Sequence, residues 1–238
     1  MSTTASKVKK RVAIASGDPA GIGCEIALKA LRNPEIRAAC APVIVGDAWL
    51  VCHCNEQFNT GFHLRVVDSP SELRFDGEAI DVLNVPMLDA ASFKFGVIDA
   101  VNGRALIEYA GRAVQLATEH IVDAVVCAPQ NQTAVNRAGI RFDGYASFVA
   151  RQTNTPEENT FLLLASKSFR ICHVTLHVSV LDAIKQVQCA KVKKAIHATH
   201  AALKQMGIER PRIAVSGLNP HAGEGGLWGR EEIDEIAP

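Results

Sequence analysis

Hydrophobic positions change their spacing repeatedly along this chain. Short apolar, β-branched runs at 12–15, 43–46 and 123–127 lie beside stretches at 24–31, 48–54 and 101–119 whose apolar residues recur three and four positions apart. A continuous apolar run suits a strand covered on both faces, whereas the wider spacing suits a helix with one buried stripe. The alternation predicts βαβ units and parallel strands, an α/β core. Further strands are expected at 64–68, 160–165, 169–176 and 212–217, with helices at 180–187 and 192–206. A turn-rich stretch at Pro129 divides the pattern into a first α/β lobe, 1–128, and a second, 129–238.

Composition narrows the function classes. The 238 residues are 48% apolar, enough for a real core, and 25 basic side chains balance 25 acidic ones. No global field favours nucleic acid or an anionic membrane, so a small molecule is the default partner. Apolar runs such as 161–165 and 213–215 fall far short of the roughly 20 residues that cross a bilayer. The opening MSTTASKVKKR leads into VAIAS without a small-residue cleavage site, which predicts a frayed tail and a cytoplasmic address. Seven cysteines, an odd number with mostly hydrophobic neighbours, predict reduced, buried thiols rather than a disulfide framework. In 51-VCHCNE-56, Cys52, His53 and Cys54 could ligate a soft metal, but no second pair accompanies them and packing is the expected role.

Open parallel sheets bind ligands outside the carboxyl ends of their strands, which singles out four loops. In 16-SGDPAGIGCEI-26, Gly17, Gly21 and Gly23 allow close backbone approach before a helix N-terminus, yet the pattern is neither GxGxxG nor a P-loop, and Asp18 would repel a phosphate. A nicotinamide, a metal-bound substrate and a structural turn all remain compatible with it. In 127-CAPQNQTAVNRAGIRFDGYASF-148, Gln130, Asn131 and Gln132 could orient a carboxylate or hydroxyl, or cap a helix. If 170-RICHVTLHVSV-180 is a strand, period two puts His173, Thr175 and His177 on one side, with His177 at the ligand edge and His173 roughly 13 Å behind it. A strand over 212–218 would bring His221 out past the same edge, in a loop loosened by Gly223, Gly225 and Gly226. Two imidazoles there suggest part of a metal site, since a catalytic divalent ion usually takes about three protein ligands.

Four segments carry a resemblance: GDPAGIGCEI at 17–26, NRAGIRFDGY at 136–145, TLHVSV at 175–180 and GLNPHAGEGGLWGREEIDEIAP at 217–238. In order and spacing they resemble the 4-hydroxythreonine-4-phosphate dehydrogenase family, the PdxA-like enzymes. The resemblance implies a three-layer α/β/α fold like that of the isocitrate and isopropylmalate dehydrogenases, assembled as a homodimer with the active site at the subunit boundary. It implies oxidation of a secondary alcohol with NAD or NADP, assisted by a divalent ion (zinc, magnesium, cobalt or similar) that three histidines hold. Two of these fall on His177 and His221, which become both catalytic and metal-ligand candidates. The third belongs to a downstream YHDQG-like motif that the sequence lacks, so the fold is expected to be C-terminally incomplete.

Tyr145 and Ala146 occupy positions where the vitamin B6 enzymes have a histidine and a threonine that contact substrate, and are the substrate-binding candidates. With 173-HVTLH-177, 144-GYASF-148 resembles the terephthalate cis-dihydrodiol dehydrogenase branch. The expected reaction is therefore oxidation of a cyclic cis-dihydrodiol carboxylate with loss of carbon dioxide. The alternatives are 4-hydroxythreonine-4-phosphate oxidation in pyridoxal phosphate synthesis and a truncated, non-catalytic fragment. Neither nucleic acid nor membrane is an expected partner.

Overall fold

The computed structural model describes residues 9–167 and 169–238. It divides into two compact units, Met1–Tyr145 and Ala146–Pro238.

In the first unit the chain runs through β1 (Lys10–Ala15), α1 (Gly23–Leu31), α2 (Pro34–Ala39), β2 (Cys40–Gly46), α3 (Ala48–Gln57), β3 (Leu64–Val67), β4 (Ile80–Asn84), α4 (Ala100–Thr118), β5 (Ala124–Cys127) and α5 (Gln132–Arg137). All five strands are parallel, in the order β3-β4-β2-β1-β5. The α/β expectation therefore holds, and its cause is visible in the packing. Ile44 of β2 packs with Leu28 and Leu31 of α1 and with Leu50 and Val51 of α3. Period two turns Val43 and Val45 to the other face. The long α4 packs along β1, β2 and β5 with Ala105, Leu106, Tyr109 and Ala113 wholly buried. Each fully buried leucine or isoleucine contributes about 1.5–3 kcal/mol over leaving it in water. Helix starts follow their caps: Asn33 accepts from Glu35 N ahead of Pro34, and Asp99 accepts from Asn102 N at 2.8 Å.

The sequence pattern misses β4. Asp81 interrupts its apolar run, yet that carboxylate is only 1% exposed because Arg65 Nη1 donates to it at 2.9 Å and the amides of Arg74 and Phe75 donate at 2.9 Å each. A buried charge with that many partners is tolerable in a strand.

The second unit holds most of α6 (Tyr145–Gln152), a hairpin of β6 (Leu162–Ser166) and β7 (Phe169–His173), then α7 (Val180–Gln186), α8 (Cys189–Gln205) and a closing helical turn, Glu232–Ile236. Two expectations fail here. The β6–β7 pairing is antiparallel and ends where Leu162 faces His173, so the strand expected over 169–176 stops early. Beyond it no partner strand follows among the described residues, and His177 takes a left-handed φ of 47° instead of continuing the period-two register. Residues 211–217 form no ladder at all and are largely exposed. Ile213, Ala214 and Val215 carry the apolar signature of a strand but, among the described residues, find no strand to pair with, and a strand exists only as a pair. His177 and His221 thus do not emerge from adjacent strands of a parallel sheet.

Seven free thiols are present, as expected, but only Cys24 and Cys54 are buried; the other five are partly exposed. No helix among the described residues is long and apolar enough to cross a membrane.

Candidate functional site

The strand order returns past β1 to place β5 on its far side, and such a reversal opens a crevice at the carboxyl ends of the two strands. The loops after β1 and β5 meet there. Gly17 has a φ of 75° and lies so close to the β5 loop that a Cβ would sit 2.5 Å from the Pro129 carbonyl oxygen. Asp18 N donates to that same oxygen at 3.0 Å. Gly23 is equally confined, since a Cβ would meet Ser16 O at 2.1 Å. Only glycine fits either place.

Asp18 lies at the centre of this junction. Its Oδ1 accepts from Ala20 N at 3.0 Å, and the Asn131 side chain also hydrogen-bonds to the carboxylate. Asn131 at the same time caps α5 through Ala134 N at 3.1 Å, so the capping role expected for this loop is present. Burial pushes the Asp18 carboxyl above its ordinary value, Asp99 adds a smaller push, and the two hydrogen bonds oppose it. Tyr145 closes the group: its hydroxyl donates to Ala128 O at 2.8 Å and its ring meets Phe142 edge-on at 5.7 Å. Burial drives the phenol far above its usual range, with Cys127 and Asp18 contributing after it. Tyr145 therefore stays protonated and spends its proton on the backbone, holding the β5 loop. The Gln130 Oε1 is enclosed without a hydrogen-bond partner among the described residues.

Ala146, the next residue, lines a cleft of about 380 Å³ in the second unit, between α6, the β6–β7 hairpin and α8, with Thr153, Thr155, Cys172 and Thr199 around it. His177 is exposed. His221 is exposed as well, with its ring edge-on to Trp228 at 4.7 Å and its Nδ1 3.5 Å from Glu224 Oε2. Among the described residues no group of three or more His, Cys, Asp or Glu side chains is gathered to hold a metal. His53 stacks on Phe95 at 5.9 Å, which is the packing role expected for the 51–56 run.

Asn219 and Glu232 organise the His221 loop, and the sequence reading gave neither a site role. The Asn219 Oδ1 accepts from His221 N at 3.0 Å and from Gly223 N at 3.3 Å. The Asn-Pro-His order is the available signal, because an asparagine side chain readily bonds the backbone two residues on.

Comparison with known proteins gives these loops a context. The family model described as pyridoxal phosphate biosynthetic protein PdxA matches residues 38–238. The chain belongs to the PdxA family. A D-threonate 4-phosphate dehydrogenase from Cupriavidus necator is 36% identical over 228 residues, covering 95% of this chain and 68% of that protein. The crystal structure of 4-hydroxythreonine-4-phosphate dehydrogenase from Klebsiella pneumoniae superposes with a TM-score of 0.84 at 33% identity, covering 98% of this chain and 70% of that one. A terephthalate 1,2-cis-dihydrodiol dehydrogenase from Burkholderia xenovorans is 38% identical with a TM-score of 0.64, covering 97% of this chain and 68% of that one. The family places the chain among the dehydrogenases that act on a carbinol.

Proposed function

We propose that this chain serves an NAD(P)-dependent dehydrogenase that oxidises the secondary alcohol of a phosphorylated hydroxy acid, of the D-threonate 4-phosphate or 4-hydroxythreonine-4-phosphate kind. The observation that carries this reading is the 36% identity to a D-threonate 4-phosphate dehydrogenase across 95% of the chain. A bound nicotinamide would supply the hydride acceptor, and with the hydroxyl proton released to solvent the substrate carbinol would become a carbonyl next to the carbon that bears the carboxylate. That carbonyl promotes loss of carbon dioxide.

His177 and His221 are the metal ligands that the described residues supply. Both are exposed, and among the described residues the His177 side chain makes no hydrogen bond or ion pair, so the donor chemistry suits a zinc, magnesium or cobalt ion. When bound, such an ion polarises the substrate hydroxyl. The left-handed backbone at His177 is uncommon for a residue with a side chain, and conformations of this kind cluster at functional sites.

In the first unit, Gly17 brings backbone against the β5 loop and Asp18 presents a half-buried carboxylate. That carboxylate repels phosphate and suits a hydroxyl-bearing part of substrate or cofactor. Tyr145 fixes the β5 loop, and Ala146 contributes a small side chain that leaves room. Val180, 79% exposed, and Leu227, 70% exposed, are apolar side chains that a second copy of the chain would cover.

A second reading, the cyclic cis-dihydrodiol carboxylate, is favoured by the 38% identity to the terephthalate enzyme and by Tyr145 and Ala146 themselves. NADH formation with the two phosphorylated acids and with the terephthalate dihydrodiol separates the readings. Faster turnover of either phosphorylated acid is the expected result, and exclusive turnover of the dihydrodiol sinks the first reading. For the metal, His177→Ala and His221→Ala should each lower bound divalent ion, and unchanged stoichiometry in both rejects the ligand assignment.

A further inference from the structure

The loop that carries His221 is held in a conformation that an L-chain avoids. Ala222, Gly223, Glu224 and Gly225 have φ values of 47°, 71°, 45° and 66°, four left-handed residues in succession. Residues other than glycine avoid that region because the Cβ crowds the following carbonyl oxygen, and left-handed residues ordinarily occur singly. Such a turn persists only where its surroundings over-determine it.

Glu232 provides much of that determination. Its Oε1 accepts from Leu218 N at 2.7 Å. Its carboxylate lies against two glycines, where a Cβ on Gly217 would come 3.1 Å from Oε1 and one on Gly223 would come 2.8 Å from Oε2. The Oε2 is enclosed and has no hydrogen-bond partner among the described residues. On the other side of the turn, Trp228 N donates to Gly223 O at 3.1 Å, and the Trp228 ring supports the His221 imidazole. The acid thus touches the loop on both sides of His221.

We infer that Glu232 is a positioning residue: its carboxylate, seated between Gly217 and Gly223, holds the left-handed turn that presents the His221 imidazole. This role rests on the reading that His221 binds a divalent ion. Residues that orient a ligand from behind typically change metal affinity about 10–100-fold when removed.

The test uses the 238-residue chain with Glu232→Ala, Glu232→Gln and His221→Ala. Zn²⁺ affinity is measured by competition with a chromogenic chelator, and amide hydrogen exchange is followed at Leu218, Gly223 and within α8. Glu232→Ala should weaken Zn²⁺ about 10–100-fold and speed exchange at Leu218 and Gly223 at least about tenfold, with the α8 amides unchanged. Glu232→Gln keeps a carbonyl acceptor for Leu218 N and should restore both readouts to within about threefold. If His221→Ala weakens Zn²⁺ and Glu232→Ala does not, the positioning role is overturned. If His221→Ala leaves Zn²⁺ binding unchanged, the metal reading falls and exchange alone decides. Protection lost at Leu218 and Gly223 in Glu232→Ala then retains Glu232 as the support of the turn, and unchanged protection removes that too.

Discussion

Removing the carboxylate of Asp47 should destabilise the first unit more than any surface change. Asp47 follows β2, is 1% exposed, and accepts from the Tyr109 hydroxyl, from Met87 N at 3.0 Å and from Leu88 N at 3.4 Å. Tyr109 itself is wholly buried in α4. In Asp47→Ala the Tyr109 hydroxyl and the Met87 amide lose their acceptor away from water, at about 1–3 kcal/mol each, so the variant should lose about 2–6 kcal/mol. Tyr109→Phe leaves the ion its amide donors and removes one charge-assisted bond, about 1.5–3 kcal/mol. The double variant counts that shared bond once, so the losses should fall short of additivity by about 1.5–3 kcal/mol. Urea unfolding of the four proteins measures every corner of the cycle. Losses that add to within about 0.5 kcal/mol would refute the claim that the two side chains stabilise each other.

Gly17→Ala should cost at least about 1–2 kcal/mol from the left-handed backbone alone, with more from the contact with Pro129 O, and should lower NADH formation because the β1 loop is displaced. A denaturation midpoint equal to the parent's would contradict the tight approach. Acid stability should depend on Asp123, whose carboxyl is held below its ordinary range first by the Arg11 backbone N–H, then by the Lys10 ammonium. A lowered folded pKa adds stability above the ordinary carboxylate pKa, near 4, which is lost as pH falls through the folded value. Asp123→Asn should therefore flatten the acid limb of a stability-versus-pH curve while leaving its shape above pH ~6 unchanged.

Much of the first unit was legible because its strands are covered on both faces and its helices on one, so the buried positions carry a clear period. Legibility failed where a distant partner decides the outcome. Asp81 reads as a break in a strand until Arg65 and two loop amides enclose it. The end of β7 is set by where β6 begins at Leu162, which nothing in 169–176 encodes. Residues 212–217 have strand character but, among the described residues, no strand to pair with. At the site, Gly17, Asp18 and Tyr145 could be singled out from local sequence, but the contacts of Asp18 with Asn131 and of Tyr145 with Ala128 depend on the β1–β5 pairing. Glu232 is one acid among several in 231-EEIDE-235, and only its placement between two glycines gives it a role.

The contact between Gly17 and Pro129 has a mechanical consequence. Two loops that lie more than a hundred residues apart in the chain are fastened at van der Waals distance, with a hydrogen bond across the seam and no side chain free to slip between them. A molecule that pushes on one loop therefore loads the other, and the two should yield together as one lip rather than as independent flaps.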